Sequence, residues 1–148
     1  MYPEPQFDEL YRQIILDHYR RPRNRRSLEH PDVRAEGMNP LCGDEVTLEL
    51  DFEDGVLADA GFSGRGCSIS QSSASMMTEA IRGKSLPEVD ALIQAFKKMV
   101  VEGQPPEEDL GDLEALEGVA KFPVRVKCAT LAWNVLQQGL EAYAAQRR

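Results

Sequence analysis

The sequence predicts an α+β fold in which helices cover one face of a small antiparallel sheet. Two observations carry this expectation. One pair of segments alternates apolar and polar residues with a period of two, and four others repeat apolar residues at helical spacing. With 148 residues, 42% of them hydrophobic, the chain is long enough for one globular domain over 1–148 whose core needs no disulfide staples.

Taken in order, Phe7, Leu10, Tyr11, Ile14 and His18 fall on one face of a helix expected over residues 6 to 20, ending before Pro22. A lone histidine on that apolar side reads as a hydrogen-bonded packing residue rather than a ligand, and His30, in His30-Pro31-Asp32, reads as loop. Val46, Leu48, Leu50 and Phe52 then alternate with Thr47, Glu49 and Asp51, predicting a strand over 45–52 with one wet face. The Asp54-Gly55 turn and the returning Val56, Ala58, Ala60 and Phe62 make a β-hairpin. Its second strand runs into Gly61-Phe62-Ser63-Gly64-Arg65-Gly66, a sharp turn before a helix expected over 68–82 and stopped by Gly83.

Ser85-Leu86-Pro87-Glu88 has the pattern of a capping box with proline in the first turn, and Val89, Leu92, Ile93, Phe96 and Val100 form the apolar face of the helix it opens. Between Glu102 and Gly118 the composition becomes acidic and proline-bearing, including Glu107-Glu108-Asp109, so a surface excursion with at most a short helical turn is expected. A last helix is expected over 128–145, with Leu131, Ala132, Val135, Leu136, Leu140 and Tyr143 inward. Met76, Met77 and Trp133 read as packing residues.

Charge and composition exclude several classes. A net charge of −8 repels polyanions, so nucleic acid and anionic membranes are not expected partners. The exception is Arg20, Arg21, Arg23, Arg25 and Arg26, which read first as a solvated helix end and turn, second as a dock for an acidic protein, and last as a contact for RNA or DNA. No apolar run reaches the ~18 residues of a membrane span, and Met1-Tyr2-Pro3-Glu4-Pro5 lacks the pattern of a signal peptide, so a cytoplasmic location is expected. Gly64-Arg65-Gly66 lacks the remaining glycine and the Lys-Ser/Thr ending of a nucleotide loop.

The chemistry-bearing residues are three cysteines: Cys42 in Asn39-Pro40-Leu41-Cys42-Gly43-Asp44, Cys67 after the glycine turn, and Cys128 in Val126-Lys127-Cys128-Ala129. An odd number of thiols argues for metal or sulfur chemistry over disulfides, although three small buried hydrophobes remain the bland reading. Cys67 and Cys128 are both expected at helix starts, where free N–H groups and the helix dipole favour thiolates. Arg65, Arg125 and Lys127 add cations nearby in sequence. Asp44 lies two residues beyond Cys42, and Gly43 between them lets both side chains turn to one centre. Three sulfurs and one carboxylate suit tetrahedral Zn²⁺ or an iron–sulfur cluster, leaving a charge of roughly −2 with Zn²⁺ for neighbouring cations to offset. No C-x-x-C pair of a closed structural zinc site occurs.

Four motifs carry a family resemblance: Leu10-Tyr11-Arg12-Gln13-Ile14-Ile15-Leu16-Asp17-His18-Tyr19-Arg20-Arg21-Pro22-Arg23-Asn24, Asn39-Pro40-Leu41-Cys42-Gly43-Asp44, Gly66-Cys67-Ser68-Ile69-Ser70 and Val126-Lys127-Cys128-Ala129. In this order, over nearly the whole chain, they resemble the U-type iron–sulfur cluster assembly proteins: IscU, SufU and the N-terminal part of NifU. The resemblance implies an IscU-like fold with Cys42, Asp44, Cys67 and Cys128 converging at an exposed edge. It also implies Zn²⁺ or an iron–sulfur cluster as cofactor, a PLP-dependent cysteine desulfurase of the SufS/IscS kind as sulfur donor, and apo iron–sulfur proteins or downstream assembly proteins as recipients. Lys127 stands where IscU has a histidine, Phe122-Pro123-Val124-Arg125-Val126-Lys127 replaces the Leu-Pro-Pro-Val-Lys chaperone segment, and the acidic stretch resembles the insertion of SufU proteins, so the likeness points to the SufU branch. Cys42, on a loop, is the expected sulfur acceptor, with Arg125 and Lys127 as supporting cations. Two other classes fit less well. A cysteine hydrolase or transferase using Cys67 with His18 or His30 lacks a Cys–His signature, and a structural zinc module would share the metal but not the sulfur transfer.

Overall fold

The structure, a computed structural model, describes residues 9–106 and 109–146. Phe7 and the start of the predicted first helix, and Glu107-Glu108 of the acidic stretch, lie outside the described residues. The elements run α1 (Glu9–Arg20), β1 (Val33–Asn39), β2 (Asp44–Glu53), β3 (Val56–Arg65), α2 (Ser68–Ile81), β4 (Lys84–Ser85), α3 (Leu86–Glu102), a 3₁₀ segment (Gly111–Lys121) and α4 (Pro123–Gln146). The four strands form an antiparallel sheet in sequence order. Helix α4 packs on β1 and β2, and α2 on β3. The expected α+β architecture is present.

The predicted hairpin is β2–β3, with Val46, Leu48, Leu50, Ala60 and Phe62 buried. Its return strand differs in phase from the expectation: Leu57 is fully buried, whereas Ala58 is exposed. The cause is an irregular register at Asp51/Phe52, where Asp51 pairs Asp59 but Phe52 pairs Leu57. The one extra residue switches which parity faces the core. Phe52, half-buried, stacks on Tyr143 of α4 with ring centroids 3.8 Å apart.

Strand β1 was not expected. Its alternation is real, with Val33 and Asn39 buried and Arg34, Glu36 and Met38 exposed, but small residues line the inward side. Gly37 explains why: a Cβ there would lie 2.6 Å from Cγ2 of Val135. A Cβ at Gly139 would lie 3.0 Å from Cδ1 of Leu50. Helix and sheet therefore touch through glycine on both sides, and a pattern built from large apolar residues does not mark the strand.

Helix α3 follows the predicted capping box: Glu88 N–H donates to Ser85 Oγ at 3.3 Å and Ser85 N–H to Glu88 Oε1 at 3.0 Å. It ends at Gly103 in the left-handed conformation, φ 72°, whose N–H donates to Met99 O. Val89, Ile93, Phe96 and Val100 are buried as the periodicity predicts. Phe96 stacks on Trp133 at 4.3 Å, and the indole N–H of Trp133 donates to Ser73 Oγ at 3.0 Å. Ser73 passes that bond on to Ala129 O at 2.7 Å, so the polar face of α2 is satisfied inside the core.

The acidic excursion is also more ordered than the sequence suggests. Residues Gly111–Lys121 form a 3₁₀ helix burying Leu113, Ala115, Leu116 and Val119. Leu110, Leu113, Leu116 and Val119 recur every third residue, the 3₁₀ period, and so fail a test for 3.6. His18 ties this segment down, as a packing histidine would. Its Nδ1 shares a hydrogen bond with Ser75 Oγ at 2.8 Å, and its Nε2 one with Asp112 Oδ2 at 2.9 Å, joining α1, α2 and the 3₁₀ segment. Much of the arginine cluster is spent internally: Arg23 pairs with Asp17, Arg26 with Asp59, and Arg25 donates to Gly64 O. No helix among the described residues is long and apolar enough to cross a membrane.

Gly37→Val forces new atoms into the α4–β1 contact. The expected result is a loss of about 1–3 kcal/mol, read as a lower urea midpoint with unchanged far-UV circular dichroism.

Candidate metal centre

Cys42 sits on the loop that joins β1 to β2. Asn39 and Asp44 close the ladder as a register pair, leaving Pro40, Leu41, Cys42 and Gly43 as the turn. Gly43, at φ 71°, adopts the left-handed conformation that reverses the chain between Cys42 and Asp44. Asp44, the first residue of β2, is fully buried. Its Oδ1 accepts the backbone N–H of Cys67 at 2.8 Å.

Cys67 is the N-cap of α2, as expected. Its extended backbone directs Sγ to the N–H of Ser70, 3.5 Å away. This approach needs glycine at 64 and 66. A Cβ on Gly66 would lie 2.3 Å from Asp44 Oδ1 and 2.6 Å from Ser70 Oγ, and one on Gly64 would lie 2.0 Å from Glu45 O.

Cys128 is placed differently from the expectation. Helix α4 starts at Pro123 rather than at 128, because proline's fixed φ and missing N–H suit a first helical position. Cys128 therefore lies in the second turn, beyond the reach of the terminal dipole, and is fully buried, its Sγ 3.7 Å from Val124 O.

The four residues converge. Sγ of Cys128 is 3.4 Å from Sγ of Cys42, and Sγ of Cys67 is 3.9 Å from Asp44 Oδ2. Ligand atoms of Cys42, Asp44 and Cys128 all lie within 4.8 Å of one another. All three cysteines are free thiols. A tetrahedral ion with Zn–S bonds of ~2.3 Å sets its sulfurs about 3.8 Å apart. The Cys42–Cys128 separation is close to that value, and Cys42, Asp44 and Cys128 form a group that could hold one ion, with Cys67 beside it against Asp44.

Electrostatics separates the two anchored cysteines. A hydrogen bond from the Cys128 thiol, with further help from the N–H groups of Ser70 and Ile69, lowers the Cys67 pKa to about 6. Cys128, donating to Cys67 and buried, is pushed well above the ordinary thiol range. The expectation of two acidic thiols thus holds for Cys67 and fails for Cys128, because Cys128 donates to Cys67 while the first N–H groups of α2 also face the Cys67 sulfur.

The cations fall out differently as well. Arg65 is exposed and paired with Glu45 at 3.0 Å. Arg125 is half-buried and stands three residues before Cys128 on α4, a spacing that puts two side chains side by side. Lys127 is exposed and immediately precedes Cys128, so it faces another way. Sequence reasoning passed over Asn39, which is buried with its amide nitrogen 3.9 Å from Cys128 Sγ. An Asn before Pro reads only as a turn signal.

Fold and site together define a class: a small α+β protein that gathers three cysteines and an aspartate where the hairpin meets two helices. Residues 10–148 match the family described as the NifU-like N terminal domain, and the chain belongs to that family. It is 46% identical over 135 residues to the zinc-dependent sulfurtransferase SufU of Bacillus subtilis (strain 168), covering 90% of each chain. It is 42% identical over 139 residues to the iron–sulfur cluster assembly scaffold protein IscU of Streptococcus pyogenes serotype M1, covering 93% of this chain and 86% of that one. A solved structure of a nitrogen-fixing NifU-like protein (N-terminal) from Brucella abortus superposes with a TM-score of 0.85 at 26% identity, covering 93% and 96%.

Two outcomes follow. Gly66→Ala pushes Asp44 and Ser70 apart, and should weaken Zn²⁺ binding, measured by chelator competition, by roughly ten-fold or more. In the metal-free protein, alkylation of Cys67 by iodoacetamide, followed by peptide mass spectrometry, should rise through about pH 6 and then level off. An ordinary thiol keeps gaining to a pH of about 8.5.

Proposed function

We propose that this chain works in iron–sulfur cluster biogenesis as a metal-dependent acceptor of sulfur, taking it from a PLP-dependent cysteine desulfurase and handing it to downstream assembly proteins or apo iron–sulfur proteins. The observation that carries the reading is the meeting of Cys42, Asp44 and Cys128 donors within 4.8 Å, with Cys67 joined through Asp44. Resemblance to the Bacillus subtilis zinc-dependent sulfurtransferase at 46% identity supports Zn²⁺ as the ion.

Cys42, Asp44, Cys67 and Cys128 would hold the ion. Bound there, Zn²⁺ would keep the thiols deprotonated at neutral pH and balance most of their charge. Cys42 is the acceptor. It stands on a turn beside exposed Leu41, whereas Cys67 caps a helix and Cys128 lies buried inside one. Its thiolate attacks the outer sulfur of the desulfurase persulfide, the S–S bond breaks, and the desulfurase cysteine leaves as a thiolate. Cys42 then carries the new persulfide, with no net oxidation or reduction. Arg125 supports the site by placing a cation beside Cys128, and exposed Lys127 adds a second positive charge next to it in sequence.

A scaffold reading shares the same donors and is favoured by the 42% identity to the Streptococcus pyogenes IscU. In that reading iron and sulfide are substrates assembled on the cysteines. One experiment separates the two. Protein purified without oxygen is analysed for metals, then mixed with desulfurase and ³⁵S-cysteine. Zinc with label on the chain supports transfer, and a coloured cluster passed to an apo-protein supports scaffolding. Cys42→Ala should lower label uptake by about 100-fold or more while keeping the fold, and uptake at the normal rate would rule out Cys42 as acceptor.

A further inference from the structure

We propose that Asn39 is the positioning residue of the metal centre, setting the turn that presents Cys42 and holding the sulfur of Cys128 through the same side chain. The inference rests on the metal-site reading above. Asn39 is 8% exposed and ends β1 opposite Asp44. Its backbone carbonyl accepts the N–H of Cys42 at 3.2 Å and of Gly43 at 2.9 Å. Its side-chain Oδ1 accepts the N–H of Leu41 at 3.2 Å, and its Nδ2 lies 3.9 Å from Cys128 Sγ. Two of the four metal-donor residues, Cys42 and Cys128, are thus hydrogen-bonded to this one asparagine, and a third, Asp44, is its partner in the strand register.

The orientation of its amide is fixed by chemistry. Leu41 N–H can only donate, so the oxygen must face it, and the NH₂ is left for the sulfur. An N–H donor holds a sulfur more strongly as a charged thiolate than as a thiol. With Cys128 also in contact with Cys42 at 3.4 Å, fixing one sulfur helps to fix the other. Outer groups that orient metal ligands in this way are worth roughly 10–100-fold in metal affinity when removed.

Turn-setting and sulfur-holding can be separated by substitution. Asn39→Asp keeps an oxygen for Leu41 but replaces the donor facing Cys128 with an anion. Asn39→Ala removes both, and Asn39→Ser substitutes for it if the alanine variant does not fold. Full-length metal-free protein is titrated with Co²⁺ and then with Zn²⁺ in competition, while urea midpoints of the metal-free forms report stability. In the N39D variant the thiolate-to-cobalt charge-transfer band should move to lower energy and Zn²⁺ affinity should fall by roughly 10–100-fold, with N39A or N39S weakened as well. An N39D protein with the native band energy and affinity overturns the role given to the Asn39 amide. If the native chain shows no thiolate–cobalt band, the metal-site reading falls and this inference falls with it.

Discussion

A carboxylate that sees no solvent holds this structure's working end together. Asp44 is fully buried at the start of β2, and its Oδ1 receives the N–H of Cys67, the residue that caps α2. Burying such a group is costly unless its oxygens are engaged. That requirement draws the end of β3 against the start of β2 and forbids a side chain at Gly64 and Gly66. One hydrogen bond thereby joins the cap cysteine to the sheet, two residues beyond the loop cysteine. The second oxygen, Oδ2, faces the Cys67 sulfur at 3.9 Å, a gap suited to a shared cation. The buried carboxylate and the sulfurs can all be anionic together only beside a cation, so this packing suits a metal ion as well as the ligand types do.

The sequence showed the fold where large apolar residues mark the buried face. The β2 strand, the α3 capping box and the stopping glycine at 83 all act through neighbours a few residues away. What remained hidden depends on contacts between distant segments. Strand β1 is concealed because Gly37 and Gly139 let α4 lie directly on the sheet, and a glycine carries no hydrophobic signal. The parity change at Leu57 comes from a bulge with no sequence mark of its own. The 3₁₀ segment was read as polar because a period of three looks irregular when a period of 3.6 is sought.

The candidate site was legible to a similar degree. Cys42, Asp44, Cys67 and Cys128 stand out by type and by flanking glycine, but their meeting is a product of topology. Cys128 lacks the helix terminus its sequence context suggests, because α4 starts at Pro123 rather than at the cysteine. For Arg65, nearness to Cys67 in sequence says nothing of Glu45, its partner across the hairpin. Asn39 escaped notice because a turn-forming residue and a sulfur-holding one are the same amino acid.

The three thiols are therefore unequal, and their inequality bears on which one can exchange. Cys128 is fully buried in the same helix that carries Trp133 and Leu136, so moving it disturbs the core. Cys67 is acidified, yet acidity cuts both ways: a sulfur held as a stabilised anion is present at neutral pH but is a poorer nucleophile for that stabilisation. It is also the N-cap of α2, so leaving its place uncaps a helix. Cys42 has neither restraint. Its turn can move without breaking a helix or opening the core, and exposed Met38 and Leu41 border it where a partner would approach. In the proposed sulfur-acceptor role, location would divide the labour: the two cysteines rooted in helices would retain the ion, and the one on the turn would react.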